Sequence, residues 1–439
     1  MNMPLEKVIK MLDGYYTHIV AVSSIENLTR FGDNEISQNV SRKDEYMDVR
    51  VVDDKKAVRF IISKFDNESI KNSIEKAKEK LKYSRSLEFV PYPTQSNVRI
   101  NSTRYFDKRA TQITPVDRAK RIKNMMRFCK KTLRLSYGII SDTVCQTVIA
   151  DSNGLCQKNI STSVSYEITV NKNKSYGKAT AYSWKDDIDY ERINERAIKK
   201  SDMSSKTLDI KPDRYTVILE PMACVELFGF MGYLGFNALA YYENRSFLSQ
   251  NIGKKIFSDM LTITEDPLDF PLSVMPFDFE GYPRKRVVLV ENGVAKNLVT
   301  DKKTSHLTGF EYTGHSLFEP NAFGAIPVAI VVEGGKKSFD EIIKETDYGI
   351  IVSELHYVNP LKPKTLELTG MTRNGTFLVK DGKIVGAVKN MRFTQSIVEA
   401  MNNIEDISLE REAYEFWYGG VYTPALKISD FNFSSSTEF

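Results

Sequence analysis

The chain has 439 residues, which suggests two or three domains. It is 41% hydrophobic and 27% charged, with 23 glycines and 15 prolines, so global disorder, collagen-like and low-complexity architectures are excluded. Lys and Arg total 61 against 57 Asp and Glu, a net +4 that is too even to imply a nucleic-acid or membrane partner by charge alone.

Residues 1–10 carry Glu6, Lys7 and Lys10 in an amphipathic pattern with no apolar signal core, so the chain reads as cytoplasmic. Residues 5–12 read as a short helix; 18–23, 47–52 and 57–63 read as strands. Over 67–82, Ile70, Ile74, Ala77 and Leu81 share one stripe, which predicts a helix capped by Asp66 or Asn67. Residues 89–102 hold Pro91 and Pro93 and read as a connector. Thr114 and Pro115 signal a second helix over 117–132. Residues 135–140, 143–151 and 155–171 predict an antiparallel meander, with Asn153-Gly154 as a primed turn. A third helix is predicted over 189–203. The polar stretch 209–213 precedes a strand at 215–220, and it marks the expected boundary between an N-terminal α/β domain, 1–210, and a C-terminal domain, 211–439.

Residues 221–242 are almost wholly apolar, with Glu226 the only charge. The length suits a membrane span of about 20 residues. Gly229, Gly232 and Gly235 recur every three residues, however, and a single glycine-rich span in a chain of mean hydropathy −0.34 fits a buried core helix better. Glu226 is then either paired in the core or lining a cavity. Further on, Asn292-Gly293 and Asp381-Gly382 each separate two apolar runs, and Asn374-Gly375 precedes the second of these hairpins. Strands are also expected at 327–332, 349–353 and 424–433, and a late helix at 395–401. These signals predict an α+β protein whose C-terminal domain is built on a large antiparallel sheet.

The four cysteines, Cys129, Cys145, Cys156 and Cys224, form no C-x-x-C, so neither a disulfide scaffold nor a cysteine-rich zinc site is expected. No two of His18, His306, His315 and His356 stand four apart, so there is no H-E-x-x-H. P-loop, dinucleotide and G-x-S-x-G signatures are missing as well. Two acidic clusters remain, Glu265-Asp266-Pro267 and Asp278-Phe279-Glu280-Gly281. Paired carboxylates can serve acid–base chemistry or a hard cation, but Asp-Pro and Glu-Gly are also turn dipeptides. The row Lys120, Arg121, Lys123, Arg127, Lys130 and Lys131 could track phosphates, but on a helix it reads first as a solvated face.

Several segments resemble the TldD/PmbA family, proteins linked to DNA gyrase modulation and to peptide processing. Residues 29–38 and the hairpin 47–60 are similar to its early segments. Residues 262–267, 277–283 and 289–293 look like its acidic and hairpin stretches. Thr313-Gly314 matches its TG pair, and 393–396 with 424–433 resemble the PmbA branch. The catalytic branch is a metallopeptidase with an H-E-x-x-x-H helix and a downstream cysteine ligand. By that resemblance the first histidine falls at Phe228, the glutamate at Gly229 and the second histidine at Tyr233, and no cysteine follows Cys224.

The resemblance therefore implies the fold without the metal chemistry: no catalytic or metal-ligating residue and no cofactor in this chain, with zinc carried by a partner subunit. It implies a homodimer, or a heterodimer with a TldD-like metallopeptidase subunit, acting in proteolysis or peptide processing. Phe228, Phe230, Tyr233 and Phe236 would fill the vacated pocket or contact a substrate peptide. Glu226, Asp266, Asp278, Glu280, Thr313 and Gly314 are groove candidates. The alternatives are a hydrolase using Asp266, Asp278 and Glu280 with a metal, and a nucleic-acid-associated protein using the basic helix.

Overall fold

The computed structural model describes all residues except 1–2, 91, 93–99, 101, 174, 204–206 and 437–439. Strand outweighs helix, 44% against 23%, in a mixed α+β fold. The expected connector at 89–102 lies largely outside the described residues.

The first sheet has six strands: β1 (Tyr16–Gly32), β2 (Glu35–Asp53), β3 (Lys56–Ile62), β4 (Leu135–Asp151), β5 (Cys156–Lys172) and β6 (Ser175–Ser183). Their order is β3-β2-β1-β4-β5-β6. Every pairing is antiparallel, so this part, expected as α/β, contains no parallel crossover unit. The strands run longer than their apolar centres predicted. The β1–β2 hairpin closes on Asp33 and Asn34, both at positive φ, and Asn34 Oδ1 accepts from the Ser136 backbone.

Helices α1 (Leu5–Met11), α2 (Asn67–Lys82), α3 (Pro115–Lys131) and α4 (Tyr190–Met203) supply apolar stripes to this sheet. In α2 the buried residues are the predicted Ile70, Ile74, Ala77 and Leu81, and Asp66 caps the helix by accepting from Ser69 N at 2.8 Å. Thr114 and Asp117 form a capping box at the start of α3. Alternation along β1 and β4 turns Val20 and Ile149 to the other side, where they pack with Leu155, Phe277 and Phe318. The two halves of the chain thus share a core.

Twelve strands form the second sheet among the described residues. They are β7 (Thr207–Leu208), β8 (Arg214–Leu219), β9 (Ile263–Glu265), β10 (Val287–Glu291), β11 (Val294–Ala295), β12 (Ala329–Val332), β13 (Tyr348–Lys362), β14 (Glu367–Lys380), β15 (Lys383–Val388), β16 (Met391–Ser396), β17 (Ile404–Phe416) and β18 (Gly419–Ser436). The main path is β11-β10-β9-β12-β18-β8-β13-β14-β15-β7. Most pairs are antiparallel, as expected, but β8–β13, β12–β18 and β7–β15 are parallel. Each parallel pair joins strands far apart in sequence, which long crossovers allow and hairpin signals do not reveal.

Asn292-Gly293 and Asp381-Gly382 turn their hairpins with both residues at positive φ. Asn374-Gly375 lies inside β14 instead and forms no turn. The apolar span 221–242 divides into helix α5 (Pro221–Leu234) and a short helix at Ala238–Tyr242. Among the described residues no helix is long and apolar enough to cross a membrane.

Candidate functional site

Helix α5 follows β8 directly, with Pro221 at its first turn, where a missing N–H costs nothing. It packs against β18, β13 and β17 in the main core. The glycines are explained by close approach. A Cβ built at Gly229 overlaps the Phe416 ring, and one built at Gly235 overlaps the buried Phe247 ring.

Phe228 is fully buried in the main core, as is Phe236, whose ring meets Phe247 edge-on at 5.5 Å. Phe230 packs edge-on against Trp417 at 5.1 Å and Phe416 at 6.1 Å. Tyr233 is half-buried, with its ring 5.3 Å from Trp417 and 5.9 Å from Phe323. Between Gly229, Tyr233, Ile326, Phe416 and Trp417 remains a cavity of about 20 Å³, room for about one water.

Its lining holds no imidazole, carboxylate or thiol, the donors that zinc requires. Cys224, one turn before Phe228, lies against Leu219 O at 3.5 Å, and burial pushes its thiol far up, so it stays protonated. Among the described residues no group of three or more His, Cys, Asp and Glu is placed to hold a metal ion. Phe228, Gly229 and Tyr233, where the resemblance would place the family's ligands, do not fit a zinc ion.

Glu226 lies on the same helix. It is largely buried and has no hydrogen-bond or ion-pair partner among the described residues. Burial first, and the charge of Glu354 second, push its carboxyl up to about 7. The sign follows: the unfolded chain ionises near 4.5, so the folded state is penalised as pH rises from there to 7. Glu226→Gln is therefore expected to stabilise the chain at pH 8 by about 1–2 kcal/mol, a 1.36 kcal/mol-per-unit shift discounted for residual solvent. Near pH 4.5 it should change little. Urea unfolding at the two pH values checks this, and an equal effect at both would contradict it.

The other groove candidates hold turns. Asp266 accepts from Leu268 N and Asp269 N, each at 3.2 Å, and pairs with Arg286 at 3.0 Å. Asp278 accepts from Glu280 N and Tyr282 N at 3.0 Å, from Ser316 N at 2.9 Å and from Tyr312 Oη at 2.6 Å. Glu280 forms a fully buried, two-pronged ion pair with Arg50 of β2 at 3.1 and 3.2 Å. Thr313 Oγ1 bonds to Thr300, and Gly314, at φ +73°, gives its carbonyl to Arg284. Glu280 and Asp278 form a buried support beneath β2, while Asp266 holds a surface turn, and all three carboxylates are engaged. No side-chain hydrogen bond among the described residues joins this support to Glu226.

The basic row on α3 is partly consumed as well. Arg121 pairs with Asp186 at 2.8 Å and Lys130 with Glu35 at 3.0 Å, while Lys120, Lys123, Arg127 and Lys131 face solvent. Sequence reasoning missed Phe416 and Trp417, which fill the site from a strand, β17, that it did not predict.

The mixed α+β scaffold, with α5 buried against its second sheet, defines the class to which the chain compares. The sequence model for the PmbA/TldA metallopeptidase C-terminal domain matches residues 212–435, about half of the chain. The chain belongs to the PmbA/TldD family. An uncharacterised Methanocaldococcus jannaschii protein is 25% identical over 405 residues, 89% of this chain and 91% of that one. A metalloprotease TldD homolog of Buchnera aphidicola is 29% identical over 171 residues, 37% of this chain and 34% of the relative, so that likeness spans about a third of the named enzyme. The crystal structure of TldE from Thermococcus kodakarensis superposes with a TM-score of 0.84 at 23% identity, covering 98% of this chain and 99% of that one. That likeness establishes the fold.

Proposed function

We propose that this chain is the non-catalytic subunit of a two-subunit metallopeptidase, pairing with a TldD-like subunit that carries the zinc. The observation behind this reading is the triple of Phe228, Gly229 and Tyr233. A phenyl ring and a glycine offer no ligand, and a phenol is a poor substitute for an imidazole. Phe416 adds a steric bar by occupying the space that a side chain at 229 would need. The commitment of Asp266, Asp278 and Glu280 to turns and to Arg50 weighs against a separate carboxylate hydrolase.

Elemental analysis and a peptidase assay test the proposal. The purified chain alone is expected to carry no stoichiometric zinc and to leave peptides intact. Mixed with a zinc-bearing TldD-type subunit, it is expected to co-elute in one complex and to alter that subunit's peptidase activity. One tightly bound metal per chain with chelator-sensitive hydrolysis would overturn the reading, as would failure to associate with any such subunit.

A further inference from the structure

A larger concavity lies along β13 and β14, where two irregularities coincide. Val352 pairs with Thr376 and Glu354 with Arg373, so β14 spends three steps where β13 spends two, and Asn374-Gly375 forms a bulge. The count then reverses. His356 pairs with Met371 and Asn359 with Thr369, which puts the extra residue on β13. Tyr357 sits in this second bulge at φ +53°, with 72% of its surface exposed. Bulges re-aim side chains, and non-glycine residues at positive φ gather at binding sites.

The bulges border a cavity of about 680 Å³ whose lining, among the described residues, includes Arg373, His356 and Lys389 and no Asp or Glu. That volume accommodates several residues of a peptide. Arg373 Nη1 donates to His356 Nε2 at 2.6 Å, which keeps the imidazole neutral with its proton on Nδ1. Among the described residues Arg373 has no carboxylate partner. Glu354, two residues before His356, is already held by Lys178 Nζ at 3.0 Å and Asn374 Nδ2 at 2.7 Å. Among the described residues Lys389 pairs with the exposed Asp209 at 3.2 Å, a surface contact that a ligand can replace at little cost.

We propose that this cavity binds the C-terminal carboxylate of a peptide, with the anion on Arg373 and Lys389 and the last side chains against Tyr357. A guanidinium with unengaged N–H groups grips a carboxylate with two parallel bonds. Tyrosine adds an apolar face with a polar edge, suited to side chains of varied sequence. A lining free of acidic groups provides no counter-charge for a cationic end. The assignment is independent of the subunit pairing, and its assay needs no partner chain.

Fluorescence anisotropy of the full chain tests it with two pools of labelled random hexapeptides, one with free C-terminal carboxylates and one amidated, and with inorganic phosphate as competitor. The acid pool is expected to bind at least about tenfold more tightly, the worth of one charge-assisted pair. Arg373→Gln should abolish that preference and Arg373→Lys should retain part of it. Arg373 is exposed, so an unchanged Tm verifies folding of both variants. Equal binding of the pools, binding of neither, or an acid preference that survives R373Q overturns the proposal. Phosphate binding at Arg373 without peptide capture also overturns it, because the site would then serve a free anion.

Discussion

Arg50→Ala lowers the stability of the chain by about 3–5 kcal/mol, the cost of leaving a buried charge without its partner. Arg50 and Glu280 are each about 1% exposed and meet through two hydrogen bonds. Arg50 also donates to His18 Nδ1 at 3.2 Å. Burial, and then the charge of Arg50, hold the His18 imidazole far below its usual pKa, so it remains a neutral acceptor. Phe318 closes the site, edge-on to His18 at 5.1 Å. Removing the guanidinium leaves the buried Glu280 carboxyl beside Asp278 without its counter-charge. Burial drives that carboxyl upward and Arg50 opposes the rise, so in the variant Glu280 holds a proton when folded. With Arg50 present the carboxyl already stands at about 7, and the unfolded chain is common to both proteins, so the deficit is flat below about pH 7, where both folded states hold the proton, and grows toward pH 8, where only the wild type ionises. Arg50→Met with Glu280→Met should recover most of the loss, because a matched apolar pair leaves no charge behind. Urea unfolding of the single and double variants measures the cycle. A single-variant loss under about 1 kcal/mol, or a double variant as unstable as the sum of its parts, would refute the argument.

This pair also marks where local sequence stops being informative. His18, Arg50 and Glu280 come from β1, β2 and a loop 230 positions further on, and nothing in their neighbourhoods points to one another. Features set by nearby residues could be read. The stripe and cap of α2, the capping box of α3 and the Asn-Gly and Asp-Gly hairpins all depend on spacings of a few residues. β17 escaped because Glu405, Asp406, Glu410, Glu412 and Glu415 break up its apolar pattern, and because its turn into β18 is made by Trp417 at φ +41°, a residue no turn rule favours. Asn374-Gly375 shows the converse: its backbone preference is real, but the strand uses it as a bulge. At the candidate site the apolar character of the 221–242 span was legible from Phe228, Phe230 and Phe236, all buried. The ring packed against Gly229 was not, since Phe416 reaches α5 only through the second sheet.

Restoring the family's ligands on α5 is expected to destabilise the chain and to create no zinc site while Phe416 is present. Gly229→Ala alone should cost about 1–3 kcal/mol, because its Cβ overlaps the Phe416 ring and that ring is stacked on Trp417 at 4.6 Å. Gly229→Glu adds a carboxylate to the same apolar space and costs more. Phe228→His exchanges a fully buried phenyl for a smaller polar ring, a loss of about 3 kcal/mol or more. Phe416→Ala removes the obstruction. In that background Gly229→Ala should cost under about 1 kcal/mol, and the coupling between the two positions should exceed about 1 kcal/mol. Urea unfolding of the four chains in this cycle gives the coupling directly, and zinc titration of the Phe228→His, Gly229→Glu, Tyr233→His chain with and without Phe416→Ala gives the functional counterpart. If Gly229→Ala is harmless with Phe416 intact, the ring yields freely and only the absent ligands bar metal from this helix. If the coupling is as large as expected, packing bars it too, and introducing ligand residues alone would not place a metal on this helix.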